Sequence, residues 1–266
     1  MCMNETSAVP TQPSRLPFNW VFPALFRPRA TFAAIAAQAR PVWLLPLLLL
    51  SLGALFETGA VSRLRMQAAE SGALAPPDPA NYGYGYYYYS PEQQAQQQEA
   101  QDAANSPTFI YIFPAMGALI EVWAGWWLVG GIVHLALTLG GGRGNSSPTL
   151  NVAAWALLPY FLRALVRGAA VLSANAAIAA PGISGFIILD GGNFSLYLQK
   201  LAGLLDIYAV WFVILMVLGA KTVSNLPGRK TFTAVILPLL LLFALKALLG
   251  FAAVKLGDLT VIRPFF

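Results

Sequence analysis

Apolar positions in this chain are gathered into long runs, not spaced at the intervals of a half-buried strand or a surface helix. The runs cover about 41–62, 115–139 (the inner part of a longer apolar tract, 108–139), 151–174, 201–221 and 231–254. A bilayer's hydrocarbon core takes roughly 20 mostly apolar residues to cross as a helix, and each run meets that length. The pattern therefore predicts an all-α integral membrane protein, a five-span transmembrane helix bundle, with its membrane domain over 41–256. Polar stretches divide the remainder into a disordered tail at 1–14, a segment at 15–40, a loop at 63–107 and a short tail at 257–266.

Two of these stretches have a character of their own. Segment 15–40 mixes Phe18, Trp20, Phe22, Phe26 and Phe32 with Arg15, Arg27, Arg29 and Arg40. It is too basic to span, yet apolar enough to lie in the headgroup layer with its arginines toward anionic lipid or a partner. The loop 63–107 holds NYGYGYYYYS followed by QQAQQQEAQ, a low-complexity composition that cannot bury enough apolar area to fold alone. Within it, Ser90-Pro91-Glu92 reads as a helix start, and a short polar helix is expected over 91–104.

Charge sets the direction of threading, because lysines and arginines collect on the cytoplasmic side. The N-terminal segment, the 140–150 loop and the 221–230 turn together hold eight basic residues: Arg15, Arg27, Arg29, Arg40, Arg143, Lys221, Arg229 and Lys230. The two intervening loops hold three, Arg63, Arg65 and Lys200. The N-terminus is expected in the cytoplasm and, after five crossings, the C-terminus outside. Residues 1–14 lack the apolar core of a signal peptide, so the first span is expected to serve as the targeting signal.

Composition narrows the chemistry further. Charged residues make up 10% of the chain and hydrophobic ones 58%, against about 25% charged in a soluble domain. The net charge of +5 is spread over loops and helix ends, which argues against nucleic acid as a partner. Cys2 is the only cysteine and His134 the only histidine, too few for a zinc shell, and no cofactor motif is present. The glycine-rich 140–149 (GGGRGNSSPT) lacks the Gly-Lys-Ser/Thr ending of a phosphate loop. Gly182-Ile183-Ser184-Gly185 resembles the GxSG of intramembrane serine proteases, but such a serine needs a histidine base, and His134 is expected near the opposite membrane face. Asn193-Phe194-Ser195 is a glycosylation sequon that only a eukaryotic host would use, while Asn4 and Asn145 head sequons expected on the inside. No enzyme is expected.

Charges inside the spans carry more weight, since hydrocarbon disfavours them. These are Glu121 in the second span, Arg163 and Arg167 in the third, Asp206 in the fourth and Lys246 in the fifth. All five are expected at the middle or in the outer half of the bilayer, and Arg163 and Arg167 share a helix face. They form a candidate intramembrane charge network, either fixing helix packing or lining a polar path. Pro159, one turn before Arg163, is expected to kink the third span.

Three passages resemble the Yip family, whose founders were named as Ypt/Rab GTPase-interacting proteins. PALFRPRATFAAIAAQARPVWLLPLLLL at 23–50 is similar to the family's proline-led approach to the first span. GGGRGNSSPTLNVAAWALLPYF at 140–161 is similar to its glycine turn and Leu-Pro of the central span. LLDIYAVWFVILMVLGAKTVSNLPGRK at 204–230 is similar to its acid-aromatic fourth span and basic turn. The resemblance covers roughly 20–255 and implies five spans with a cytosolic N-terminus and an external C-terminus. In eukaryotic members it implies roles in membrane traffic through Rab and other partners. Here Asp206-Ile207-Tyr208 stands where the eukaryotic branch has Asp-Leu-Tyr-Gly-Pro, and residues 1–40 are basic instead of acidic. Architecture carries over and a Rab site does not. The Ala/Leu/Pro-rich sequence resembles a bacterial member in the cytoplasmic membrane. The expected function is a scaffold or organiser of membrane partners, with itself or another membrane protein as partner. The alternative is a small transporter, channel or lipid-moving protein that uses the charged cluster.

Overall fold

The computed structural model describes residues 17–38, 40–71, 91–142, 144–188 and 192–262. The expected tail at 1–14, Arg15, Arg143 and the tyrosine-rich part of the 63–107 loop lie outside the described residues. Among those described, every regular element is helical. They are α1 (Val21–Phe26), α2 (Pro28–Ala36), α3 (Leu44–Glu70), α4 (Pro91–Ala104), α5 (Phe113–Leu139), α6 (Ser146–Ala156), α7 (Leu158–Ala174), α8 (Asn193–Leu204), α9 (Ile207–Val223) and α10 (Gly228–Ile262). A π-helical turn, Thr108–Ile112, leads into α5. With no water in hydrocarbon to satisfy the backbone, apolar runs of this length have the helix as their only open-chain solution.

Four helical stretches are long and apolar enough to cross a membrane: Leu44–Glu70, Thr108–Leu139, Ser146–Ala174 and Gly228–Leu256. Helices α8 and α9 reach that length and apolarity only when taken together, bent by 64° at Leu205–Asp206, so the spans number four, or five if the bent pair is one span. The apolar run at 201–221 is thus the end of one helix and most of the next. Pro159 falls in the first turn of α7, and the third span is jointed just before it, at Leu157, where α6 ends. The polar helix expected at 91–104 is present as α4.

One end of the bundle, called basal below, gathers the start of α3, the end of α5, the start of α6, the end of α9 and the start of α10. Near it, α1 and α2 form a helical hairpin that packs into the bundle. Phe32 and Ile35 are fully buried, and Phe32 lies against the backbone at Gly219. Phe26, at the end of α1, meets Trp211 with ring centroids 5.8 Å apart, and the Phe32–Gly219 contact sets α2 alongside α9. Phe18, Phe22 and Phe26 form an exposed apolar edge.

The core centres on Trp155, Phe32, Phe212, Leu47 and Met216. Helix association in lipid depends on close van der Waals packing, which small residues permit. A Cβ placed on Gly219 would lie 2.3 Å from Val152 Cγ1, and one on Gly168 would lie 2.5 Å from Phe56 Cε1. These contacts bring α9 onto α6 and α7 onto α3. Asn151, fully buried on α6, ties the approach to the first span: its Oδ1 accepts from Val42 N at 3.0 Å and its Nδ2 donates to Arg40 O at 3.2 Å. Trp155 Nε1 adds a bond to Val42 O at 3.0 Å.

Candidate functional site: an intramembrane charge layer

Four charged residues of the spans, Glu121, Arg163, Asp206 and Lys246, sit at one height. Seventeen residues separate Ser146 from Arg163 and Asp206 from Val223, and eighteen separate Glu121 from Leu139 and Gly228 from Lys246. At the rise of an α-helix, each lies about 25–27 Å along its helix from the basal end. Helices running in opposite directions thus bring their charges to a common level, where opposite signs meet.

Arg163 on α7 reaches Asp206 at the α8–α9 bend, with Nε 3.1 Å from Oδ2. Both side chains are largely buried, 15% and 14% exposed. The other oxygen, Oδ1, accepts the backbone N–H of Ala209 at 2.9 Å, so Asp206 is also the N-cap of α9. A carboxylate suits that place because the first turn of a helix leaves donors unsatisfied and carries positive charge. The guanidinium of Arg163 lies 5.5 Å from the centroid of the Tyr160 ring, within range of a cation–π contact.

The carbonyls that the bend frees at the end of α8 are met by a loop. Ile183 N donates to Ala202 O at 3.2 Å and to Leu205 O at 3.1 Å. Gly182 makes this possible: its φ is +62°, and a Cβ there would lie 2.6 Å from Leu205 O. The serine beside it, Ser184, is buried and donates to Pro181 O. His134 lies against Thr149, its Nδ1 3.4 Å from Thr149 Oγ1, among residues at the Val223 end of α9. Ser184 and His134 occupy opposite ends of α9 and form no nucleophile–base pair. Among the described residues, no three His, Cys, Asp or Glu side chains are grouped as a metal shell would require.

Arg167, one turn beyond Arg163, pairs with Glu57 on α3 at 3.7 Å. Glu57 falls inside the first apolar run and is missing from the sequence-derived set. It obeys the rule that picks out Glu121, a lone acid amid apolar residues, and was legible on that ground. It also lies within electrostatic reach of Arg163 and Glu121, which joins the pairs into one layer. Lys246 on α10 bonds to Glu121 on α5 through Nζ and Oε1. Unlike the others, this pair faces outward, with Lys246 53% and Glu121 65% exposed.

The basic residues of the N-terminal segment stand apart from the layer. Arg27 and Arg29 are exposed at the corner of the α1–α2 hairpin, and Arg40 follows it, its carbonyl held by Asn151.

A family model described as the Yip1 domain matches residues 24–249, most of the chain. The chain belongs to the Yip1 family. Neither the curated proteins nor the solved structures gave a match. The matched region of this Yip1 protein contains the α1–α2 hairpin from Ala24 onward and the whole charge layer. It is an integral membrane protein with several apolar helices. Asp206-Ile207-Tyr208, the faint echo of the eukaryotic signature, is the N-cap and first turn of α9.

Proposed function

We propose that this Yip1 protein is a non-enzymatic scaffold of the bacterial cytoplasmic membrane, with its N-terminus inside and its C-terminus outside, that assembles with a second copy of itself through the α5–α10 face. The excess of basic residues on alternate loops supports the threading. One observation carries the assembly: the Glu121–Lys246 pair is turned outward from the bundle, while Arg163–Asp206 is enclosed. Twelve residues of apolar helix lie between Glu121 and Thr108 on one side and seventeen between it and Leu139 on the other. Lipid is a poor neighbour for charges at that depth, and such residues ordinarily face protein or a water-filled cavity.

The face is complementary to itself, as a two-fold interface requires. It carries one acid and one base, so Glu121 of one copy can be set against Lys246 of the other. Gly117 and Gly125 lie one turn either side of Glu121, with nothing within 4 Å of a Cβ built on them. They leave room for a second helix to approach.

The test starts from a Cys2→Ser background with a single cysteine at Gly117 or Gly125, cross-linked in native membranes. A cross-linked dimer is expected. Glu121→Lys alone and Lys246→Glu alone should each abolish it, and co-expression of the two variants should restore it by pairing two lysines with two glutamates. Cross-linking that ignores both charge reversals would refute the reading, and capture of an unrelated protein in place of a second copy would replace it.

A second reading draws on the α8–α9 bend, since broken helices with charged ends line the substrate sites of transporters. It requires charge-dependent flux in liposomes that Arg163→Leu abolishes. The groove described below lies at the basal ends of α5 and α10, away from the charge layer, which favours the scaffold.

A further inference from the structure

Basal to the exposed ion pair, a shallow, open groove of about 790 Å³ runs between α5 and α10. Its floor is made by small or ring-closed residues, Ala136 and Gly140 on α5 opposite Ala234 and Pro238 on α10. Its sides carry Leu139, Leu237 and Leu241, each strongly exposed. At its mouth stand Arg229 and Lys230, in the first turn of α10. No acid occurs between Lys221 and Lys230. No acidic side chain pairs with Arg229 or Lys230 among the described residues.

From this we infer that the α5–α10 groove binds one anionic phospholipid, its phosphate held by Arg229 and Lys230 and an acyl chain laid along the leucine-walled floor. The dimensions agree: from Arg229 to Leu241 is twelve residues of helix, about 18 Å, slightly more than one leaflet of a hydrocarbon core roughly 30 Å thick. The charges agree as well. Two adjacent cations beside the positive end of a helix repel both each other and the helix dipole, and a phosphate between them relieves both repulsions. A neutral partner helix would fill the apolar part and leave the cations unanswered. A soluble phosphate would answer the cations and leave the leucines exposed to lipid at random.

The inference is independent of the dimer. The groove belongs to the basal ends of the helices and the Glu121–Lys246 pair to their middle, and the readouts differ.

The full-length protein would be reconstituted in nanodiscs of equal phosphatidylglycerol and phosphatidylcholine, released, and examined by native mass spectrometry for retained lipid. One phosphatidylglycerol per chain is expected. At a factor of about five per cation near a membrane surface, its preference over phosphatidylcholine should be roughly twenty-five-fold. Arg229→Gln with Lys230→Gln should remove that preference while melting and cross-linking stay unchanged. Ala136→Trp, which fills the floor, should reduce retention of both lipids. Equal retention of the two lipids by the native protein would overturn the inference, as would a preference that survives the double substitution. Displacement of the lipid by millimolar inorganic phosphate would also overturn it, assigning the cations to a soluble anion.

Discussion

Replacing Arg163 by leucine isolates the buried half of the charge layer. Removing one member of a buried ion pair costs about 3–5 kcal/mol, because the survivor is left charged in a poor solvent. One observation places this case at the lower end: Asp206 retains its bond to Ala209 N through the oxygen that Arg163 does not use. A loss of about 3 kcal/mol is expected for Arg163→Leu. Asp206→Asn keeps a good N-cap but strands a guanidinium that cannot shed its proton, so it should cost about as much or slightly more. The double substitution removes both charges and preserves the cap. It should lose only about 1–2 kcal/mol, so the sum of the singles should exceed the double by about 4–5 kcal/mol, the coupling between the two sites. The assay is equilibrium unfolding in mixed detergent micelles, followed by tryptophan fluorescence. If the double variant is as unstable as the sum of the singles, the two residues act independently and the pairing argument fails.

Three other perturbations test separate joints of the fold. Gly219→Leu forces side-chain atoms into Val152 and Phe32, and overpacking of this kind costs about 1–3 kcal/mol; a lower melting temperature and a hairpin α1–α2 newly open to protease are expected. Gly182→Ala sets a Cβ against Leu205 O at a left-handed φ, so amide exchange should accelerate at Ile183, whose N–H donates to Ala202 O and Leu205 O, while α3 and α5 stay protected. Asn151→Leu removes two bonds to the backbone at Arg40 and Val42. At about 1–3 kcal/mol for each buried group left unsatisfied, it should destabilise the fold by at least 1 kcal/mol in the same unfolding assay. Retention of native stability would mean that water replaces the amide.

The long apolar helices and the family resemblance were legible because each depends on local composition: a run of leucine, alanine and valine reads as a helix whatever surrounds it. Pro159 likewise marks a joint by its own chemistry. Other features depend on residues far apart in sequence. The bend at Leu205–Asp206 has no proline, and it is held by Ile183 and by the aspartate's role as a cap, neither visible in an apolar run. Glu57 is readable as a lone acid in an apolar run, whereas its partner is not, since either arginine of α7 fits the spacing. That Glu121 and Lys246 meet on the outside of the bundle is a property of helix rotation, which a nearly uniform apolar helix such as α5 does not encode in its pattern. Asn151 was hidden for the same reason: nothing in SSPTLNVAAWA announces that its amide holds another segment's backbone.

The ion pairs also bear on how the chain is made. Each joins helices that leave the ribosome at different times. Glu57 enters with α3 and meets its counter-charge only when α7 arrives; Arg163 on α7 waits for the start of α9. Glu121 and Lys246 are 125 residues apart, and at about 5–20 residues per second roughly 6–25 s pass between their syntheses. For that interval α5 holds a carboxylate amid apolar sequence with its eventual partner unmade. A chain truncated before Lys246 keeps that carboxylate without its counter-charge on α10.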